Sequence, residues 1–220
     1  MSLENSSDYA RPRRVMVEKQ LMGRDIVSSE VLRIMTEIPR HLFVDEALVD
    51  RAYSDGPLPI GHGQTISQPY MVALMTQALE LKPTNKVLEI GFGCGYQTAV
   101  LARLTSKVYA IERIPELFEK GKRNLINLKI TNVSLKLGDG NLGWEEYAPF
   151  DAILVAAYGA SVPMKLRDQL ALGGRLVMPL GESLQQLLVL FTKIRQGKVT
   201  RQTIAACRFV PLVRNSHFNS

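Results

Sequence analysis

The apolar run Val87-Leu88-Glu89-Ile90 leads into Gly91, Gly93 and Gly95, three glycines at alternate positions, and then into helical sequence from Tyr96. Glycine lets a backbone turn tightly and lets a ligand approach with no Cβ in the way. The first strand–loop–helix of an open α/β sheet is where nucleotide-like ligands sit. Spacing narrows the choice. A dinucleotide fingerprint requires glycine where Tyr96 stands, so Gly91 and Gly93 fit it and Tyr96 does not. A phosphate-cradling loop ends in Gly-Lys-Ser/Thr, and no such triplet follows here. Two acids come next in chain order. Glu112 closes the apolar run Val108 to Ile111, and a carboxylate there can accept from both hydroxyls of a ribose. Asp139, between Gly138 and Gly140, ends the following run and can accept from an adenine amino group, with Gly140 leaving space for the base. Either acid alone reads as a solvated strand end. Together, at the carboxyl ends of successive strands, they read as a nucleoside site. Asp151, ahead of the next apolar run, reads either as a site acid or as a residue that closes a turn.

The remaining reactive residue types form no familiar engine. The three histidines, His41, His62 and His217, have no Cys or acid at metal-ligand or triad spacing, so no metal is expected. His62 lies in a long glycine- and proline-rich stretch from Asp55 to Pro69, and loops of that length are usually functional when ordered. Ser67, near its end, can cap a helix beginning at Pro69 or orient a substrate, and the two roles are compatible. Cys94 reads as a small buried residue, and Cys94 and Cys207 are too few for a secreted disulfide framework, which suits a reducing cytoplasm.

The elements that must position these residues follow from pattern. A chain of 220 residues, 46% hydrophobic and 22% charged, can bury a substantial core and is not disordered, collagen-like or a disulfide scaffold. No apolar run approaches the roughly 20 residues of a membrane span, and Met1 to Arg14 carry no signal-peptide core. Ser28 or Ser29 caps a predicted helix through Ile38, ended by Pro39, and helical periodicity returns over Met71–Leu81. From Lys86 strands and helices alternate: strands at Val87–Ile90, Val108–Ile111, Val133–Leu137, Ala152–Ala156 and Arg175–Met178, with helices to about Leu104, over Pro115 to Leu128, and over Val162–Leu172 up to Gly173-Gly174. That alternation predicts a doubly wound, mostly parallel α/β sheet. Gln186–Ile194 and Lys198–Val210, joined by Arg195-Gln196-Gly197, add an antiparallel hairpin, for seven strands in all. The expected division is residues 1–80, N-terminal helices and a covering loop, against a core of residues 81–220. The net charge of +6 resides wholly in the six basic residues Lys193, Arg195, Lys198, Arg201, Arg208 and Arg214, because no acid follows Glu182. It reads either as a solvated, protected sheet edge or as a local field for an anionic substrate.

The Glu-x-Gly-x-Gly-x-Gly form resembles the first motif of the class I S-adenosylmethionine-dependent methyltransferases. More particular segments narrow the resemblance: Gly63-Gln64-Thr65-Ile66-Ser67-Gln68-Pro69-Tyr70-Met71, Val108 to Arg113, Gly138-Asp139-Gly140 with Gly143-Trp144, Ala148 to Ala152, Gly173 to Leu176, and Arg208-Phe209-Val210-Pro211-Leu212. Over about Met16 to Val213 the chain resembles the bacterial protein-L-isoaspartate O-methyltransferases. The resemblance implies a Rossmann-like methyltransferase fold and methyl transfer from S-adenosylmethionine, leaving S-adenosylhomocysteine. The acceptor is the α-carboxylate of L-isoaspartyl residues in damaged proteins, whose ester closes to a succinimide and partly reopens as aspartate. It implies Ser67 as the active-site residue. Gln64, Thr65, Ile66, Glu89, Gly91, Gly93, Gly95, Glu112, Arg113, Asp139 and Gly140 are then expected at the cofactor, and Ile66, Ser67, Val210, Pro211 and Leu212 at the substrate. It implies a monomer acting in the cytoplasm on isoaspartyl proteins, with no nucleic acid, membrane or metal. Cys94, Ala156 and Val213 depart from residues common in the family.

The chemistry agrees. A carboxylate nucleophile is ionised near neutral pH, its reference pKa being about 4. No general base is then required, and alignment and water exclusion remain the protein's tasks. Two rivals share part of the pattern: a nucleic-acid methyltransferase, suggested by the charge but lacking an Asn/Asp-Pro-Pro-Tyr/Phe segment, and a nicotinamide-dependent oxidoreductase, opposed by Tyr96.

Overall fold

The computed structural model describes residues 9–195 and 198–213. Gln196 and Gly197 of the expected turn, Arg214, His217 and the first eight residues lie outside the described residues. The chain opens with α1 (Ala10–Met16), which runs on as a π-turn through Met22. Then comes α2 (Ser29–Glu37), whose first turn is capped where the Ser28 hydroxyl accepts from the Val31 N–H at 3.4 Å. Val31, Ile34 and Met35 face inward, while Arg33 bridges Glu30 and Glu37 on the outer face. Ile38 is extended because Pro39 follows.

The Asp55–Pro69 stretch is more regular than a loop. Leu58, Ile60 and Ile66 are buried at alternate positions, and this apolar side folds the segment into a ribbon of β1 (Leu58–Gly61) and β2 (Gln64–Ile66), pairing Leu58 with Ile66 and Pro59 with Thr65. Next comes α3 (Pro69–Ala78) with proline at its first position.

The core follows as β3 (Lys86–Ile90), α4 (Tyr96–Leu104), β4 (Lys107–Glu112), α5 (Pro115–Asn127), β5 (Val133–Leu137), β6 (Phe150–Val155), α6 (Met164–Asp168), β7 (Leu170–Gly181), β8 (Gln186–Arg195) and β9 (Lys198–Cys207). One seven-stranded sheet has the order β5-β4-β3-β6-β7-β8-β9, parallel as far as β7 and antiparallel beyond it. The strand period of two sorts the core. Val87, Val108, Ala110, Ala152, Leu154 and Val177 pack with the residues of α2 to α5 on one face. Leu88, Ile90, Ile111, Ile153, Val155 and Leu176 pack with Leu166 of α6 and with Trp144 and Tyr147 on the other. Each such fully buried valine, leucine or isoleucine side chain contributes roughly 1.5–3 kcal/mol. The side chain of Asp151 closes a turn: its Oδ2 accepts from the Lys86 N–H at 2.7 Å, aligning the starts of β3 and β6.

One expected helix is shortened. Val162–Leu172 was predicted helical up to Gly173-Gly174, but α6 ends at Asp168 and Leu170 already pairs with Phe150 as strand. The glycines mark an irregularity in β7: a Cβ on Gly174 would lie 2.8 Å from the Ala171 carbonyl of the same strand and 3.0 Å from the Asp151 carbonyl of its neighbour, so only glycine fits.

Of the C-terminal basic residues, Lys193 donates to the carbonyls of Arg167, Asp168 and Leu170, closing the end of α6. Arg195, Lys198, Arg201 and Arg208 are exposed.

Candidate active site

A cleft of about 870 Å³, its open mouth included, lies beyond the carboxyl ends of β3 and β6, where the strand order reverses. One end is built by the turn after β3. Gly91 donates to the Ile111 carbonyl at 2.8 Å, and Gly93 and Gly95 take φ of +52° and +88°, values that side chains rarely adopt. The two residues then serve different purposes. A Cβ on Gly93 would sit 3.0 Å from Ile60 of the ribbon, so this glycine lets the ribbon close over the loop. Gly95 is off the cleft wall; a Cβ there would meet the Gly121 carbonyl and Leu125 at 3.2 Å, so it sets how closely α4 and α5 pack.

Glu112, at the end of β4, is 5% exposed and lines the cleft. Its Oε2 accepts from the Gly93 N–H at 3.0 Å, and its Oε1 from the Arg113 and Ile114 N–H groups at 2.7 and 2.9 Å. A carboxylate offers about four acceptor positions, so roughly one is left on Oε2 for a ligand hydroxyl. Arg113, Gly138 and Gly140 also line the cleft. A Cβ on Gly140 would fall 2.2 Å from Ile90 Cγ2, so only glycine lets Ile90 pack against this turn. Asp139 is off the wall: its Oδ1 accepts from the Asn141 N–H at 2.8 Å and from Asn141 Nδ2 at 2.7 Å, capping a 3-10 turn.

Glu89 is also off the wall, buried under the loop with neither carboxylate oxygen in a well-formed hydrogen bond. Burial, aided by the charge of Glu112 and opposed by the Thr98 hydroxyl, pushes it up to about 8. The unfolded chain therefore ionises this position near 4.5, before the folded one does. Its contribution to stability is complete below that pH and is lost as pH rises toward about 8. Glu89→Gln is expected to raise the melting temperature of the ligand-free protein at pH 8 by several degrees and to flatten its decline between pH 5 and 8. A variant with the wild-type pH slope would show that Glu89 ionises freely.

The other end of the cleft brings together Gln64, Thr65, Ile66 and Ser67 with Val210, Pro211, Leu212 and Val213. Tyr158 holds the second group: it donates to the Val210 carbonyl and accepts from the Leu212 N–H, both at 2.8 Å. Gln186, nearly buried, accepts from the Phe209 N–H at 2.7 Å and fixes the segment's entry. Ser67 does not cap α3. Gln68 holds that position without a side-chain cap, and the Ser67 hydroxyl makes no hydrogen bond among the described residues.

Cys94 is buried and pushed up to about 11 by that burial, so its thiol stays protonated and inert. His62 stands in the β1–β2 turn, and His41 is buried with Nδ1 2.7 Å from the Tyr53 hydroxyl. Sequence reasoning missed the apolar walls from Ile60, Phe92, Ile114 and Leu117, and it missed Gln97. It also missed Gly121, where a Cβ would lie 2.6 Å from the Gly93 carbonyl. A glycine in mid-helix, costing about 1 kcal/mol against alanine, was the available signal for the last.

The family model for protein-L-isoaspartate(D-aspartate) O-methyltransferase matches residues 11–217. Protein-L-isoaspartate O-methyltransferases of Geobacter metallireducens and Trichlorobacter lovleyi are each 53% identical over 206 residues, which is 94% of this chain and 94% of theirs. A solved protein-L-isoaspartate O-methyltransferase superposes with a TM-score of 0.83 at 30% identity, covering 94% of this chain and 66% of that one. Another, from Plasmodium falciparum and crystallised with S-adenosyl-L-homocysteine, gives 0.80 at 28% identity, covering 92% of this chain and 99% of that one. With this extent of match, spanning both the glycine loop and the Gln64–Ser67 end of the cleft, the chain belongs to the protein-L-isoaspartate(D-aspartate) O-methyltransferase family.

Proposed function

We infer that the chain transfers a methyl group from S-adenosylmethionine to the α-carboxylate of L-isoaspartyl residues in damaged proteins and peptides, starting their return to aspartate. One observation carries the residue assignments. A single cleft is lined at one end by the glycine loop, Glu112 and Gly140, and at the other by Ser67 and Val210–Leu212.

The residues present fit a nucleoside bearing an amino-acid tail. Glu112 Oε2 keeps an acceptor position for a ribose hydroxyl, and Ile90, Ile111, Ile114 and Leu117, beside Gly140, give the cleft an apolar wall for the base. Gly91 and Gly93 let the tail pass close to the backbone. Asp139, between Gly138 and Gly140 of the wall, is the acceptor for the adenine amino group, and its Oδ1 also caps Asn141 and shapes the turn that carries Gly140. Glu89 supports the loop from beneath.

S-adenosylmethionine supplies a methyl group already activated on a cationic sulfur, so the protein's work is alignment and exclusion of water. Ser67, with its hydroxyl uncommitted, donates to the substrate α-carboxylate and aims one oxygen into the cleft. Val210 to Leu212, held in extended form by Tyr158, offers backbone groups to the substrate's main chain. Gln64, Thr65 and Ile66 form the shared wall, with the ribbon closing over Gly93. One chain supplies both ends of the cleft, which supports action as a monomer. Among the described residues no helix is long and apolar enough to cross a membrane.

The test is a matched pair of peptides, identical except for isoaspartyl or aspartyl linkage, with labelled donor. The isoaspartyl peptide is expected to give a base-labile ester and the aspartyl peptide none. Equal labelling of the two would overturn the substrate assignment.

A further inference from the structure

Arg40 opens a 3-10 turn just after α2 and is wholly buried, 0% exposed. Its Nε donates to the Ala52 carbonyl and its Nη2 to the Ser67 carbonyl, both at 2.8 Å. The guanidinium carbon lies 4.9 Å from the centre of the Tyr96 ring, within cation–π range. Nη1 is buried and has no partner. Ser67 and Tyr96 both line the cleft, Tyr96 at the start of the helix that follows the glycine loop, so the cation lies directly behind the cleft wall with its Nη2 on the Ser67 peptide.

The identity of this residue requires a reason. A buried charge costs several kcal/mol even after relaxation and is usually offset by an opposite charge. Here the bonded partners are neutral carbonyls, and no carboxylate pairs with Arg40 among the described residues. Burial pulls its proton affinity below the ordinary value, and only Tyr96, Cys94 and Tyr53 oppose that pull. A neutral donor such as glutamine would serve two carbonyls without the desolvation. An uncompensated cation behind a site for an anion is explained when the anion arrives with the substrate.

We propose that Arg40 is the charge complement and positioning residue for the substrate carboxylate. It fixes the Ser67 peptide so that the hydroxyl faces the cleft, and it gives the Ser67 end a positive potential which the isoaspartyl α-carboxylate completes. The proposal rests on the functional reading above. Arg40 acts through Ser67 and through its field, without touching the reacting atoms. The donor end of the cleft, at Glu112 and Gly140, has no bond to it.

Four variants separate charge from packing: Arg40→Met, Arg40→Lys, Ser67→Ala, and Ser67→Ala combined with Arg40→Met. Each is measured for melting temperature, S-adenosylhomocysteine affinity by calorimetry, and steady-state methylation of an isoaspartyl peptide. Arg40→Met is expected to raise KM about tenfold or more and to lower kcat, with product affinity within about threefold of wild type. Arg40→Lys keeps the charge and loses the fork, so KM is expected to return to within about threefold of wild type while kcat stays low. In the Ser67→Ala background, Arg40→Met should leave kcat nearly unchanged, because the group it positions is gone. Wild-type KM and kcat in Arg40→Met, or fully additive losses in kcat, would overturn the proposal. If Arg40→Met does not fold, Arg40→Lys decides alone: a fall in kcat with intact KM supports it, and unchanged kcat overturns it. Failure of the wild-type enzyme to methylate the peptide at all would instead overturn the functional reading.

Discussion

Replacing Glu112 by glutamine is expected to weaken S-adenosylhomocysteine binding about a hundredfold, which corresponds to roughly 2.7 kcal/mol. Three backbone N–H groups converge on this carboxylate, from Gly93 on one oxygen and from Arg113 and Ile114 on the other. Hydrogen bonds to a charged acceptor are worth roughly 1.5–3 kcal/mol each, and leaving a donor unmet costs about as much. Glutamine has one carbonyl oxygen, so its NH₂ must confront either Gly93 or the Arg113–Ile114 pair. The first choice frees the glycine loop and removes the ribose acceptor together. The second loosens the turn into α5, whose Gly121 packs against that loop. Calorimetric titration measures the affinity, and circular dichroism checks that the fold persists. Affinity within about threefold of wild type would show that the carboxylate serves only the backbone.

Ser67→Ala is expected to lower kcat for an isoaspartyl peptide by about two orders of magnitude while product binding stays near wild type. The side chain is small and half-buried, and its hydroxyl has no protein hydrogen bond among the described residues, so its removal leaves no orphaned group and little cavity. The cost falls on alignment, where a misplacement of about 1 Å can reduce rate about a hundredfold. Single-turnover measurement with saturating donor separates this loss from slower product release. Unchanged turnover would remove Ser67 from the mechanism.

How far these assignments could be seen in the amino-acid order depends on the range of the forces involved. The strand–glycine–helix unit at Val87–Tyr96 is local, because the apolar run, the turn glycines and the helix start are consecutive. The sheet followed from the same alternation, and the expected edge hairpin is present as β8 and β9. The ribbon at Leu58–Ile66 was hidden because its glycines and prolines signal a loop, whereas three buried aliphatics decide its structure. Gly173-Gly174 reads as a helix stop because one of the two carbonyls that crowd Gly174, that of Asp151, comes from a neighbouring strand, while the other is the local Ala171 carbonyl. Side-chain roles were the least legible. Asp139 spends its Oδ1 on Asn141, and Gly95 faces α5, facts set by neighbours that sequence spacing does not reveal. Arg40 is the extreme case. In Ile38-Pro39-Arg40-His41 it reads as a polar residue after a helix, while its three contacts come from residues 52, 67 and 96.

The cap formed by Asp139 bears on the ageing of the enzyme itself. Isoaspartate arises when the amide nitrogen following an aspartate attacks its side-chain carbonyl, and a following glycine obstructs that attack least. The chain contains two such steps, Asp55-Gly56 and Asp139-Gly140, the second within the cofactor end of the cleft. At Asp139 the carboxylate is held forward on Asn141, and Gly140 is wedged against Ile90. At Asp55 the carboxylate is tied by Arg24 on one oxygen and Gln68 on the other. In the folded chain both side chains are tied by neighbouring donors, so the repair machinery restrains, by its own hydrogen bonding, the two aspartates of its chain that a following glycine leaves most open to the lesion it acts on in other chains.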